Sequence, residues 1–195
     1  MNGFRLPRPI FAPSGGGAAS LGPPSAPVWL PLALSDIAGV AAIAAQLHPS
    51  LPERAAVLAE KAALFPEGCR KLLADGVMCG YALAHPWRTA VLPALDAFLD
   101  GLPAAADCLF IHDVAVLPQA RGQGAAASFL LHADAVAMQH NLPVHALIAA
   151  YGTVRLWRRF GFAPLEGEQH VVELAAYGPQ AVYMSRAVAN GPAAG

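Results

Sequence analysis

The sequence predicts a single α/β domain in which helices flank one mixed sheet. Three observations carry that prediction. The hydrophobic periodicity switches between strand and helix spacing in the order β-α-α-β-β-β-α-β-α-β-β. The pattern runs without an internal repeat or a second linker, and 195 residues suffice for one domain with a sizeable core. A strand at 108–117 runs through a glycine-bearing turn into a helix at 124–140, the arrangement that builds anion sites in α/β proteins.

Residues 1–27 read as a tail, because Gly15-Gly16-Gly17, Pro23-Pro24 and Pro27 sit among Ala and Ser with little bulky apolar surface. Residues 189–195 read the same way, so the folded unit is placed at 28–188. Within it, 28–34 is the first strand, and Ser35 and Asp36 are cap candidates for a helix ending near Leu47. Ser50-Leu51-Pro52-Glu53 has the spacing of a capping box, and Leu51, Ala55, Leu58, Ala62 and Phe65 follow as one helix face. Strands at 69–73 and 77–85 flank an Ala74-Asp75-Gly76 turn, a hairpin signal. The segment from 86 to 107, broken by Pro93 and Pro103, is long enough to serve as a lid or substrate loop, with a short helix at 94–99 as the alternative. After the 124–140 helix, Asn141 and Pro143 stop the chain before a strand at 144–149. Thr153 is placed as the cap of a short helix that ends at Gly161, and strands near 170–174 and 181–186 close the pattern.

Composition narrows the function classes. Lys+Arg is 12 and Asp+Glu 13, a net charge of −1 that argues against a general nucleic-acid binder. Hydrophobic residues reach 56% and charged residues only 13%, against roughly 25% in ordinary proteins. The apolar surplus is mostly alanine spread along the chain, and no stretch reaches the roughly 20 uninterrupted apolar residues of a membrane span. Cys69, Cys79 and Cys108 fit neither a disulfide framework nor a zinc site, and read as buried thiols in a reducing compartment. Pro7, Pro9 and Pro13 interrupt any signal-peptide helix, so the expected location is cytoplasmic. His132, His140 and His145 lack metal spacing, and no metal is expected.

The chemistry concentrates in Ile111-His112-Asp113-Val114-Ala115-Val116 and the turn Arg121-Gly122-Gln123-Gly124-Ala125-Ala126. Unpaired N–H groups at the helix start attract an anion, and the glycines allow a phosphate to approach the backbone. A Walker A loop would need Lys-Ser/Thr where Ala125-Ala126-Ala127 stands. Gly122-Gln123-Gly124-Ala125-Ala126-Ala127 fits G-x-G-x-x-A, but no Asp or Glu lies between Asp134 and Glu166 to hold a dinucleotide ribose. Arg121-Gly122-Gln123-Gly124-Ala125-Ala126 also resembles the R/Q-x-x-G-x-G/A motif of the GNAT acyl-CoA-dependent N-acetyltransferases. Val114-x-Val116 stands upstream, and Arg155-Leu156-Trp157-Arg158-Arg159-Phe160-Gly161-Phe162 looks like that family's helix ending in Gly-Phe.

The resemblance implies a mostly antiparallel sheet with splayed central strands. It also implies acetyl-CoA as co-substrate, with transfer of its acetyl group to a primary amine of a small molecule or peptide by direct attack. Val114, Ala115 and Val116 would contact the pantetheine arm, and Arg121, Gly122, Gln123, Gly124, Ala125, Ala126 and Ala127 would wrap the pyrophosphate. The rival reading of Arg121 is a solvated turn charge. His112 and Asp113 stand where relatives carry acidic residues, and strand alternation sends them to opposite faces, so one alone would face the acceptor; a structural role is the alternative for each. Where relatives have a tyrosine acid this chain has Trp157, whose indole releases no proton at neutral pH, so Tyr151 becomes the candidate acid or the thiolate leaves unaided. Arg155, Arg158 and Arg159 read as a solvated face complementing the helix dipole, with a CoA phosphate as the second option. His48, Tyr81, His85, Trp87 and Arg88 come from segments on the acceptor side, with Tyr81, His85 and Trp87 placed as substrate residues. No nucleic-acid or membrane partner is expected, and a homodimer is compatible with this reading. The alternative from another class is an acyl-CoA-binding or sensing module that lacks catalysis.

Overall fold

A computed structural model describes residues 26–165 and 174–188. The elements are β1 (Val28–Pro31), α1 (Ile37–Leu47), α2 (Ala55–Leu64), β2 (Arg70–Ala74), β3 (Val77–Trp87), β4 (Cys108–Val116), α3 (Ala125–Gln139), β5 (Val144–Ala149), α4 (Val154–Arg158), β6 (Ala163–Pro164) and β7 (Val182–Ala187). They form one seven-stranded sheet in the order β1-β2-β3-β4-β5-β7-β6. Every neighbouring pair is antiparallel except β4 with β5. A parallel pair needs a crossover, and α3 supplies it. The predicted α/β class is the observed one, and so is the element order as far as α4.

Each face of the sheet is covered. On one side α3 buries Phe129, Leu130, Ala133, Val136 and Ala137 against Ala82, Ala84, Leu109 and Ile111. On the other, α1 and α2 bury Val40, Ile43, Leu58 and Ala62 against Tyr81, Leu83 and Ala115. A fully buried Leu or Phe contributes roughly 1.5–3 kcal/mol, and the alanines between them let helix and sheet approach closely. Among the described residues no helix is long and apolar enough to cross a membrane.

Two features of β4 position the site. Its ladder with β5 covers only Cys108–Ile111 against Val144–Leu147. From His112 onward β4 diverges from β5, while β5 stays paired to β7 through Ala149. The second feature is a bulge. Leu83 pairs with Asp113 and Ala84 with Ile111, which leaves His112 as the extra residue. Before it, Leu109 and Ile111 face α3; after it, Ala115 faces α1 and α2. The inserted residue resets the alternation, so His112 and Asp113 both lie on the α1/α2 side. This corrects the expectation that the two point to opposite faces.

Several boundaries also differ from those predicted. The capping box does not form: α2 starts at Ala55, and the Arg54 N–H donates instead to Asp96 Oδ1 at 2.7 Å. A distant carboxylate on the 88–107 loop thereby accepts the N-cap N–H, the role a capping box gives to Glu53. No helix forms at 94–99, where Asp96 adopts a left-handed φ of 52°. Asp36 accepts the Ala33 N–H at 2.9 Å and pairs with Lys71 at 2.8 Å, so a 3-10 turn precedes α1. Thr153 stands before α4, but its hydroxyl donates to Ala150 O at 2.7 Å and caps nothing. Gly161 has the expected left-handed φ of 83°. Of the strand predicted near 170–174, residues 170–173 lie outside the described residues and Leu174 is helical; the described sixth strand is the short β6.

Candidate active site

The divergence of β4 from β5 opens two connected spaces. One is a groove of about 690 Å³ that runs along Val114–Val116 to the start of α3. The other is a cavity of about 140 Å³ bounded by His112, Asp113 and the loop after α1. His48, Val114, Tyr151, Thr153, Leu156 and Trp157 border both, which places the junction at the mouth of the splay.

The groove ends in an anion cradle. Gly122 and Gly124 hold φ of +77° and +78°, and a Cβ on either would meet nothing within 4 Å. The backbone there is left-handed and uncovered. α3 begins at Ala125, so the amides of its first turn have no intrahelical acceptor and point along the positive end of the helix. Trp29 Nε1 donates to Ala125 O at 2.9 Å and fixes this end of α3 to β1. Arg121 Nε donates to Val116 O at 2.8 Å, folding the turn back on β4 while leaving the rest of the guanidinium at the groove. Ala125, Ala126 and Ala127 line the groove, as does Arg159; Gln123 does not. These residues fit a pyrophosphate.

Two imidazole–carboxylate pairs converge on the cavity. Asp113 Oδ2 accepts the Tyr81 hydroxyl at 2.5 Å and lies 3.0 Å from His48 Nε2, an ion-pair distance without hydrogen-bond alignment. Burial works against the His48 imidazolium, but the neighbouring Asp113 carboxylate and then Glu53 outweigh it; the net shift is upward, with Arg121 opposing. His48 stacks on Tyr151, ring centroids 5.5 Å apart at 25°. The Tyr151 hydroxyl shares a 3.0 Å hydrogen bond with Ser50 Oγ. The second pair is His112 Nε2 with Glu53 Oε2 at 2.8 Å. Burial alone would raise the Glu53 pKa, yet His112 and Lys61 hold it down at about 2. A carboxylate only accepts, so Glu53 fixes the Nε2–H tautomer of His112 and leaves Nδ1 as the basic nitrogen.

The structure distributes the predicted site residues unevenly. His112, Asp113 and Tyr151 meet at the cavity, and His48 joins them. The three placed as substrate residues do not border it. Tyr81 is completely buried behind Asp113, and burial followed by the Asp113 charge pushes its phenol pKa up, so it stays a donor. His85 is completely buried against Trp87, Phe110 and His112; burial, with the His112 charge, lowers its pKa to about 3. Trp87 donates from Nε1 to Val91 O at 3.1 Å and anchors the loop. Tyr81 and His85 are drawn inward by the apolar sheet face that β3 shares with its neighbours, while Trp87 stays half-buried at its end.

Sequence reasoning missed Glu53, Lys61, Leu95 and Tyr177. Glu53 was legible only as a capping residue. Lys61 did leave a signal, since it falls three residues after Leu58 and four before Phe65, within an otherwise apolar helix face. It is buried, with Nζ 3.4 Å from Glu53 Oε1 and 3.3 Å from Ala97 O. Leu95 and Tyr177 border the cavity from segments with no local pattern. Among the described residues no group of three His, Cys, Asp or Glu side chains is arranged to hold a metal ion.

A model of the acetyltransferase (GNAT) family matches residues 36–162. No curated protein matches the sequence. Among solved structures, Ard1 from Thermoplasma volcanium is 15% identical, with a TM-score of 0.64 over 85% of this chain and 100% of that one. Arabidopsis thaliana Naa50, solved with the bisubstrate analogue CoA-Ac-MVNAL, is 13% identical, with a TM-score of 0.61 over 83% and 99%. The ribosomal-protein-S18-alanine N-acetyltransferase from Escherichia coli is 15% identical, with a TM-score of 0.57 over 86% and 97%.

Proposed function

The chain belongs to the acetyltransferase (GNAT) family, and from that premise we propose that it acetylates a primary amine, with both substrates bound together and the amine attacking directly. One observation carries the reading: a cradle for pyrophosphate and a cavity holding two imidazole–carboxylate pairs meet where β4 leaves β5.

Acetyl-CoA bound in the groove supplies an activated acetyl thioester. Gly122, Gly124 and the amides of Ala125–Ala127 hold its pyrophosphate, with Arg121 adding charge. The free edge of β4 at Val114 and Ala115 binds the pantetheine arm, and an amide on that edge is placed to stabilise an oxyanion. Val116 contributes less, because Arg121 occupies its carbonyl. His48 at the junction, its basicity supported by the Asp113 carboxylate beside it, removes the proton that an ammonium must lose before it can attack. His112, oriented by Glu53, holds the incoming amine at Nδ1. Tyr151 presents its hydroxyl at the mouth of the groove to donate a proton to the leaving thiolate, where Trp157 can supply none.

Acetyl-CoA is expected to raise the melting temperature, and an amine panel is expected to release thiol from it. Stabilisation without thiol release from any amine would instead favour an acyl-CoA-binding module. Stabilisation by NAD and not by acetyl-CoA would overturn both readings.

A further inference from the structure

The wall of the acceptor cavity constrains which amine enters. We propose that the acceptor is a primary amine on an apolar body, with no carboxylate on the carbon that bears the nitrogen. This rests on the transferase reading above and names the substrate class of that site.

The argument is one of charge and shape. Glu53 and Asp113 both border the cavity, and no lysine or arginine among the described residues does. The nearby cations are committed elsewhere. Lys61 is buried behind Glu53, Arg54 turns outward to Asp96 at 2.9 Å, and Arg121 and Arg159 stand on the groove. An ammonium is therefore welcome here, whereas an α-carboxylate would sit beside two carboxylates without a counter-ion. Repulsion of that kind is one of the two ways a site rejects a competitor. The two imidazoles on the wall are already engaged, His48 facing Asp113 and His112 facing Glu53.

The rest of the wall is apolar. Leu51, Leu95 and Phe110 contribute aliphatic and ring surface, and Tyr177 presents its ring because its hydroxyl donates to Pro93 O at 2.6 Å. The loop carrying Pro93 and Leu95 is tied down on both sides of them. Tyr177 holds Pro93, Arg54 holds Asp96, and Glu60 accepts the N–H groups of Leu99 and Asp100. Leu95 is thus part of a fixed wall. At about 140 Å³ the cavity is close to the size that admits a benzene-sized body.

Two sources share this chemistry, a free arylalkylamine and the first residue of a peptide chain. The test measures thiol release at saturating acetyl-CoA with phenethylamine, phenylalaninamide, a Phe-Ala-Ala peptide amide, phenylalanine and putrescine. The expected result is a kcat/KM for phenylalanine at least tenfold below that for phenylalaninamide. In Leu95→Arg, which adds the missing cation, phenylalanine gains and the gap narrows at least threefold. Release with the peptide amide alone assigns a protein N-terminus, and release with phenethylamine alone assigns a free amine; each supports the proposal. Phenylalanine at or above phenylalaninamide in the wild type, or release with putrescine alone, overturns the acceptor class and leaves the transferase reading standing. Bound acetyl-CoA with no release from any of the five overturns both.

Discussion

Asp113 and Glu53 are both acidic groups on one cavity, yet their surroundings give them different work. Asp113 lies between a buried phenol and His48 at the junction of groove and cavity. Glu53 sits deeper, between His112 and a buried lysine. Asp113→Asn removes the charge that supports a base at the junction, so kcat is expected to fall by about 10²-fold, within the range of general base catalysis. The acetyl-CoA dissociation constant, read by calorimetry, should stay within a factor of two. Glu53→Gln should act on the amine instead, raising its KM about tenfold, the size of one charged contact. The sign of its pH dependence follows from the depressed pKa. A carboxylate held at about 2 stays ionised at every ordinary assay pH. The acid limb of a wild-type amine-KM profile between about pH 5 and 8 therefore belongs to an imidazole, and Glu53→Gln should raise KM across the profile while keeping that limb, moved toward lower pH because the Glu53 charge no longer supports the His48 imidazolium. A limb that vanished in Glu53→Gln would contradict this division of roles.

At the scale of elements, the start of α3 and the bulge in β4 make the site. The cradle was readable in advance because its causes are local: glycines at 122 and 124, a helix beginning at Ala125, and a strand before them. The bulge was not, since it is decided by register between β3 and β4 and leaves no mark in the spacing of either strand. The same division explains α2. Its apolar face was legible, but its first residue is fixed by Asp96, 42 positions away. Tyr81 and His85 looked like pocket residues for the opposite reason: polar atoms on a strand suggest a site, and only the packing shows them turned into the core. Gly124 and Gly76 offer a paired test of the cradle. Both hold φ of +78°, and a Cβ on either meets nothing within 4 Å. Alanine at either position should cost a similar roughly 1–2 kcal/mol of left-handed strain, lowering the melting temperature by a few degrees. Only Gly124→Ala should also weaken acetyl-CoA binding, by at least tenfold in a titration. Equal binding by the two variants would remove Gly124 from the cofactor site.

For the whole molecule, the cost of burying these titratable groups is paid in acid. Two buried groups have depressed pKa values, Glu53 at about 2 and His85 at about 3, against ordinary values of 4.5 and 6.5. In each case the unfolded chain binds the proton more readily than the fold, so stability rises with pH across the interval between the two values. The His85 contribution is whole above pH 6.5 and declines as pH falls toward 3; the Glu53 contribution declines from pH 4.5 toward 2. His48 opposes them, because its raised pKa adds stability that is full below 6.5 and is lost as pH rises through the higher folded value. Each tenfold loss of proton affinity on folding is worth roughly 1.4 kcal/mol, so the fully buried His85 weighs most. Its Nε2 has no hydrogen-bond partner among the described residues, and its ring already packs among Trp87, Phe110 and His112. His85→Phe keeps a ring in that space and removes both the proton site and the unpaired nitrogen. The variant should match or exceed the wild type at pH 7.5 and gain on it steadily as pH falls below 6.5, by several degrees of melting temperature at pH 5. Parallel stability curves for the two proteins across that range would show that the acid sensitivity lies elsewhere.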